Sequence, residues 1–287
     1  MPAWAYVNGK FVPFEEASLP VEDRATQFGD GVYEVARIYE GVPFAFSDHV
    51  QRMQKGASII GIPWPWEEAE LQTMVDELIA RNNQQDGIVY WQVSRGTAPR
   101  SHVFPPQADP NLIAYTRDYP NHAAAWEQGV KVTIERDVRW LLCHVKSVNL
   151  LGNVLAKEAA ASKGGAEALL EREGYGIVEG GSSNVFIVKD GVLATPPLSE
   201  LILPGITRSY VLEIAAEQGM SAAERYISRE ELLQADEVFF TSTGVEVMPV
   251  AAADGHTIGS GAPGPVTKQL LAAYKERVVA ACSTAPR

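Results

Sequence analysis

The chain has 287 residues, 46% hydrophobic and 21% charged, enough for one large core or two smaller ones and unlike a disordered segment. A net charge of −12 and a pI near 4.9 argue against a broad nucleic-acid-binding surface, but not against a small basic pocket for an anionic ligand. Cys143 and Cys282, far apart, imply neither a disulfide framework nor a zinc site. The N-terminus lacks a basic-then-apolar leader pattern and no apolar run spans a bilayer, so the expectation is a soluble protein of the reducing cytoplasm with no metal.

In chain order, Trp4–Val7 and Lys10–Pro13 flank Asn8-Gly9, which supplies the positive φ angles of a tight hairpin turn. Gly31–Tyr39 alternates as a strand, and Gly41 begins a return through Val42 to Phe46. Ser47 suits the N-cap of a helix reaching about Ile60, with His49, Arg52 and Met53 on one face. A helix is predicted over 67–82, and strands over 87–95 and 111–116. Asp118–His122 breaks the pattern and reads as an interdomain linker, dividing the chain into 1–118 and 119–287. Beyond it the pattern predicts a strand over 130–134 and an Ala/Leu-rich helix over 149–163, closed by Gly164-Gly165. Short strands follow over 168–171, 176–178, 184–188 and 192–194, the last two joined by an Asp190-Gly191 turn. Helices are predicted over 205–218, after a capping box at Ser228–Glu231, and over 265–281, with a strand over 238–241. The fold class is α+β.

Five segments, together with Arg52, carry candidate chemistry. Lys146, one of nine lysines, lies between a strand-like segment and a helix and is flanked by Leu141, Leu142, Val145, Val148 and Leu150. An amine stripped of part of its water condenses more readily with an aldehyde; by itself the segment reads more readily as an ordinary surface lysine. Glu179 ends a strand before the small-residue turn Gly180–Ser183, which suits a carboxylate facing a pyridine nitrogen and equally a solvated turn acid. Gly205-Ile206-Thr207-Arg208 opens a helix, and Thr241-Ser242-Thr243-Gly244 follows a strand; both offer amides and hydroxyls to a phosphate, and both also suit plain caps and turns. Arg52 would add a charge-assisted contact, or pair with Asp48 one turn away. The loop Arg95–His102 presents Arg100 and His102, a pair suited to a carboxylate or to a solvated basic loop.

Six segments in order resemble the fold-type IV pyridoxal-phosphate aminotransferases, and most closely the D-amino-acid aminotransferases. They are Phe28–Val35, Arg95–His102, Arg139–Leu141, Lys146–Gly152, Glu179–Phe186 and Gly205–Arg208, and the similarity runs from Tyr6 to about Tyr274. The resemblance implies a smaller N-terminal α/β domain and a larger, β-rich C-terminal domain with helices, around pyridoxal 5′-phosphate. It implies that Lys146 carries the cofactor through a Schiff base and moves the proton at the substrate Cα. Glu179 would pair with the pyridine nitrogen; Arg52, Ile206, Thr207 and Thr243 would hold the phosphate; Val35, Ser182 and Ser183 would line the site. Tyr33, Arg100 and His102 would bind the α-carboxylate, with the Arg100/His102 loop supplied by the second subunit of a homodimer. The implied reaction is transamination between D-amino acids and 2-oxo acids; a branched-chain L-aminotransferase and an aminodeoxychorismate-type lyase share the fold. Gly181, Gly244 and Leu142 depart from the family pattern and bear on the substrate side chain rather than the cofactor.

Overall fold

The computed structural model describes residues 2–107 and 109–284. They form two compact units: the chain up to Pro120 together with Val145–Asn149 and 280–284, and Asn121–His144 together with Leu150–Val279. The segment carrying Lys146, counted on the sequence with the C-terminal domain, thus groups with the first unit.

In the first unit, β1 (Trp4–Val7) and β2 (Lys10–Pro13) form the expected hairpin, with Asn8 at φ 46° and Gly9 at φ 88°. A short helix α1 (Arg24–Phe28) leads into β3 (Gly31–Tyr39) and the two-residue β4 (Val42–Pro43); α2 (Phe46–Ile59), α3 (Glu68–Arg81), β5 (Gly87–Ser94) and β6 (Asn111–Arg117) complete it. The sheet is antiparallel throughout, in the order β2-β1-β6-β5-β3-β4. Strand alternation sends Val32, Ala36 and Ile38 into a core with Met53, Leu71, Val75, Leu78 and Trp91, while Tyr33, Val35, Arg37 and Tyr39 take the other, half-buried face. Helix α2 starts one residue before Ser47, from Ala45 in a left-handed conformation, so Ser47 is not its cap; its Oγ accepts a bond from Gln51 instead. The α1 helix escaped the sequence pattern because five residues are too few for a helical period to emerge.

The second unit begins with α4 (Ala123–Gln128) and β7 (Val130–Arg136), followed by α5 (Leu151–Ser162) and the strands β8 (Glu167–Arg172), β9 (Gly176–Gly180), β10 (Asn184–Lys189) and β11 (Val192–Thr195). Then come α6 (Ile206–Glu217), β12 (Ala222–Glu224), α7 (Arg229–Leu233), β13 (Glu237–Ser242), β14 (Glu246–Ala253), β15 (His256–Thr257) and α8 (Pro265–Thr284). One nine-stranded sheet runs β12-β11-β10-β13-β14-β7-β8-β9, with β15 on β14. Its β14–β7 and β7–β8 pairs are parallel, the latter connected through α5, whereas β13–β14 and β10–β13 are antiparallel. Helix α5 begins at Leu151, two residues later than predicted, because Asn149 is occupied in the first unit. The eight-residue strand β14 was not foreseen: Glu246 and Pro249 interrupt its apolar run, yet both lie in the ladder with β13. At Ser228 the hydroxyl caps α7 as expected, but the Glu231 carboxylate turns to Arg225.

Phe186 and Phe239, both fully buried on neighbouring strands, stack with centroids 4.9 Å apart. Phe239→Ala is expected to lower the denaturant-measured stability by about 3–5 kcal/mol through lost burial and a cavity. A loss below about 1 kcal/mol would contradict this pair as a packing centre.

Candidate active site

Lys146 is positioned by backbone pairing with the start of β3. Ser147 bridges Val32, the Tyr33 N–H donates to the Lys146 carbonyl at 3.0 Å, and the Val148 N–H donates to the Gly31 carbonyl at 3.0 Å. Val145 is buried in the first unit's core, and the Asn149 side-chain amide donates to the Gly29 carbonyl at 2.9 Å. Gly29, the C-cap of α1 at φ 67°, must lack a side chain, because a Cβ there would stand 2.3 Å from Asn149 Oδ1. This short antiparallel pairing holds the half-buried Lys146 with Nζ 4.5 Å from the Tyr33 ring centroid. Tyr33 stacks on Tyr90 and Tyr90 on Tyr115, giving the face that bears Lys146 a row of aromatic rings.

One residue further along β3, and on its core side, Glu34 is fully buried. Arg52 donates to it twice, Nε to Oε1 and Nη2 to Oε2, each at 2.7 Å, and His49 Nδ1 lies 2.7 Å from Oε2. Burial alone would raise the pKa of this carboxyl, but Arg52 and His49 outweigh it and hold the group at about 2. Burial in turn depresses the His49 pKa, and the nearby positive charges of Arg52 and Lys146 act in the same direction against Glu34. Sequence reasoning placed Arg52 and His49 on one helix face but gave Glu34 no role. The signal was available: in the alternation Val32, Glu34, Ala36, Ile38, a single carboxylate occupies the apolar face.

Arg100 and His102 lie in an exposed loop anchored on Phe28. Arg100 stands 4.6 Å from the Phe28 ring centroid, His102 packs on the same ring at 5.4 Å, and Arg24 covers it at 4.6 Å while its Nη1 donates to the Ser101 carbonyl at 2.7 Å. Arg24 and Arg95 both bond Asp30, so the Phe28-Gly29-Asp30-Gly31 motif ties the loop to the start of β3. Among the described residues, no recorded contact joins Tyr33 to Arg100 or His102; the three predicted carboxylate ligands fall into two clusters. Val35 lies on the Tyr33 face of β3, opposite Tyr90 of β5.

In the second unit Glu179 is 4% exposed, not a solvated turn acid. Its Oε1 accepts a bond from Arg139, and its Oε2 accepts from the Leu203 N–H at 3.0 Å and from Asn184 Nδ2 at 3.3 Å. Burial pushes its pKa up to about 7 despite Arg139, whose guanidinium is shared with Asp137 at 2.9 Å. Asn184 also donates to the Leu203 carbonyl at 2.9 Å, and a Cβ on Gly205 would meet Asn184 Oδ1 at 2.0 Å. The carboxylate and the start of α6 are therefore built as one piece. Arg139 and Asn184 were legible as motif members but not as the groups that orient Glu179.

The remaining predicted residues also belong to this unit. Ile206 and Thr207 open α6, whose N-cap Gly205 offers no side-chain acceptor, while the Thr207 hydroxyl is engaged with Tyr274. Thr243 lies in the turn between β13 and β14, and α6 packs against β13. Ser182 and Ser183 donate to the buried Glu167 carboxylate at 2.8 and 3.1 Å, and Lys157 is paired with the same group at 3.2 Å. The hydroxyls expected to line the site thus first hold Glu167, which sequence reasoning did not single out.

The buried polar groups fit pyridoxal phosphate. Glu179 is a carboxylate whose pKa near 7 matches a weakly basic ring nitrogen, and its Oε1, which accepts only from Arg139, keeps further acceptor capacity. Thr241 Oγ1, just before the Thr243 turn, is buried without a hydrogen-bond partner, and no side chain caps the beginning of α6, as a phosphate-binding segment requires.

Comparison with known proteins agrees. The family model for amino-transferase class IV matches residues 31–253. A D-alanine aminotransferase of Bacillus licheniformis is 44% identical over 95% of this chain and 96% of its own. One from Staphylococcus epidermidis is 41% identical over 95% and 97%. Among solved structures, the branched-chain amino acid aminotransferase of Escherichia coli superposes with a TM-score of 0.91 at 31% identity, covering 96% of this chain and 94% of that one. The 4-amino-4-deoxychorismate lyase of Pseudomonas aeruginosa gives 0.82 at 30%, covering 95% and 98%. With the α+β architecture and a polar framework suited to the cofactor, these likenesses establish that the chain belongs to the class IV aminotransferases, pyridoxal-phosphate-dependent enzymes of fold type IV.

Proposed function

We propose that this enzyme exchanges amino groups between D-amino acids, D-alanine and D-glutamate foremost, and the 2-oxo acids pyruvate and 2-oxoglutarate. The observation that carries this reading is the near full-length identity of 44% to a D-alanine aminotransferase, against 31% to a branched-chain enzyme of the same fold. The loop bearing Arg100 and His102 supports it, since a cation and an imidazole side by side suit a carboxylate.

Bound pyridoxal phosphate would supply an aldehyde carbon for an amine and a protonated ring that accepts the electron pair left at the substrate Cα. Lys146 Nζ would provide the amine that anchors the cofactor and then carry the proton taken from the substrate Cα to the cofactor's aldehyde carbon. Glu179 would accept the ring N–H, with Arg139, Asn184 and the Leu203 N–H fixing its direction. The backbone amides of Ile206 and Thr207, with Thr243 and Arg52, would hold the phosphate; Ser182 and Ser183 would line the site beside Val35. Tyr33 would meet the substrate carboxylate together with Arg100 and His102 of a second copy, in a homodimer. Fixing the carboxylate selects which Cα bond lies perpendicular to the ring, and so which bond breaks. The two unbridged thiols, Cys143 and Cys282, support a cytoplasmic setting.

The function is tested by offering the purified enzyme D- and L-alanine separately with 2-oxoglutarate and following pyruvate. Turnover of the D-enantiomer alone is expected; turnover of L-alanine or L-leucine, with D-alanine inert, would replace this reading with the branched-chain one. Release of pyruvate from 4-amino-4-deoxychorismate, with no oxo-acid acceptor present and with both alanines inert, would instead indicate a lyase.

The raised pKa of Glu179 has a separate consequence for stability. In the folded state this carboxyl keeps its proton up to about pH 7, against 4.5 for an ordinary glutamate, so its contribution is present below pH 4.5 and is lost as the pH rises through 7. Cofactor-free wild type is therefore expected to lose about 3 kcal/mol relative to Glu179→Gln between those limits, by urea unfolding. A difference that is flat or rises with pH would show that the carboxyl is ionised throughout.

A further inference from the structure

We propose that Glu34 is a positioning residue for cofactor binding, fixing the Arg52 guanidinium so that it meets the phosphate in one orientation. The inference rests on the reading of Arg52 as a phosphate ligand and goes beyond it by assigning that ligand's orientation to a group that touches neither cofactor nor substrate.

A carboxylate at 0% exposure among Val32, Ala36, Ile38 and Trp91 is out of place in an apolar core. A hydrophobic residue of similar volume would serve stability as well or better, so a buried ion pair there needs another reason. The geometry supplies one. The Nε and Nη2 edge of Arg52 is bound by both Glu34 oxygens at 2.7 Å, an arrangement that fixes the plane and direction of the guanidinium as a single bond would not. His49, itself 2% exposed and packed edge-on against Trp91 at 6.1 Å, bonds Oε2 and keeps the carboxylate from rotating. Glu34 also belongs to the strand whose preceding residue, Tyr33, lies under the Lys146 amine. One stretch of β3 thus registers the direction of Arg52 against the position of Lys146.

The test uses cofactor-free wild type, Glu34→Gln, Arg52→Ala and the double variant, and measures Kd for pyridoxal phosphate and for pyridoxal, which lacks the phosphate, by quenching of tryptophan fluorescence. Arg52→Ala is expected to reduce the preference for the phosphorylated form. Glu34→Gln should reduce the same preference at least tenfold, with pyridoxal binding changed less than threefold and the double variant no worse than Arg52→Ala alone. A merely structural role would weaken both ligands together. Equal weakening, or an intact preference, in Glu34→Gln while Arg52→Ala loses it would overturn the proposal alone. An intact preference in Arg52→Ala would overturn both the proposal and the phosphate reading of Arg52. If Glu34→Gln fails to fold, Glu34→Asp, which shortens the arm and breaks the two-bond register, takes its place with the same outcomes.

Discussion

The arrangement depends first on the backbone pairing between residues 145–149 and the start of β3. Although the chain on either side belongs to the second unit, this segment groups with the first, held by the Val32–Ser147 bridge, two main-chain hydrogen bonds and the Asn149–Gly29 contact. A lysine has four rotatable side-chain bonds and little directional preference of its own. Anchoring its backbone on a strand and resting its amine on the Tyr33 ring supplies the precision that a loop would lack.

Two buried carboxylates illustrate how surroundings divide one chemical group into two kinds. Glu34 is embraced by Arg52 and His49 and stays ionised far below the usual carboxylate range. Glu179 is as deeply buried, but its cation, Arg139, also serves Asp137, and burial wins. The first suits a fixed counter-ion for an arginine; the second suits a group that shares a proton with a weakly basic ring nitrogen. Neither assignment follows from residue type: both follow from how many cations each carboxylate commands.

Much of this was legible in the sequence. The Asn8-Gly9 hairpin, the strand Gly31–Tyr39 and the strands on either side of Asp190-Gly191 were readable because alternation and turn chemistry are local. Lys146 and Glu179 stood out through their ordered motifs. What the sequence could not express were contacts between distant positions. Glu34 and Arg52 are 18 residues apart and Arg139 and Glu179 are 40 apart, and their pairing exists only once strands and helices have packed. The start of α2 was misplaced for the opposite reason: Ser47 has good capping chemistry, but the left-handed Ala45 had already begun the helix. Ser182 and Ser183 read from the sequence as lining the site, while their hydroxyls also organise a turn around Glu167.

The central claim, that Lys146 is the residue joined to the cofactor, is tested most directly by reducing the yellow holoenzyme with borohydride, digesting it and locating the modified peptide by mass spectrometry. The account predicts a single pyridoxyl group on the side-chain nitrogen of Lys146. A label on any other lysine, or a reduced protein carrying none, would contradict it.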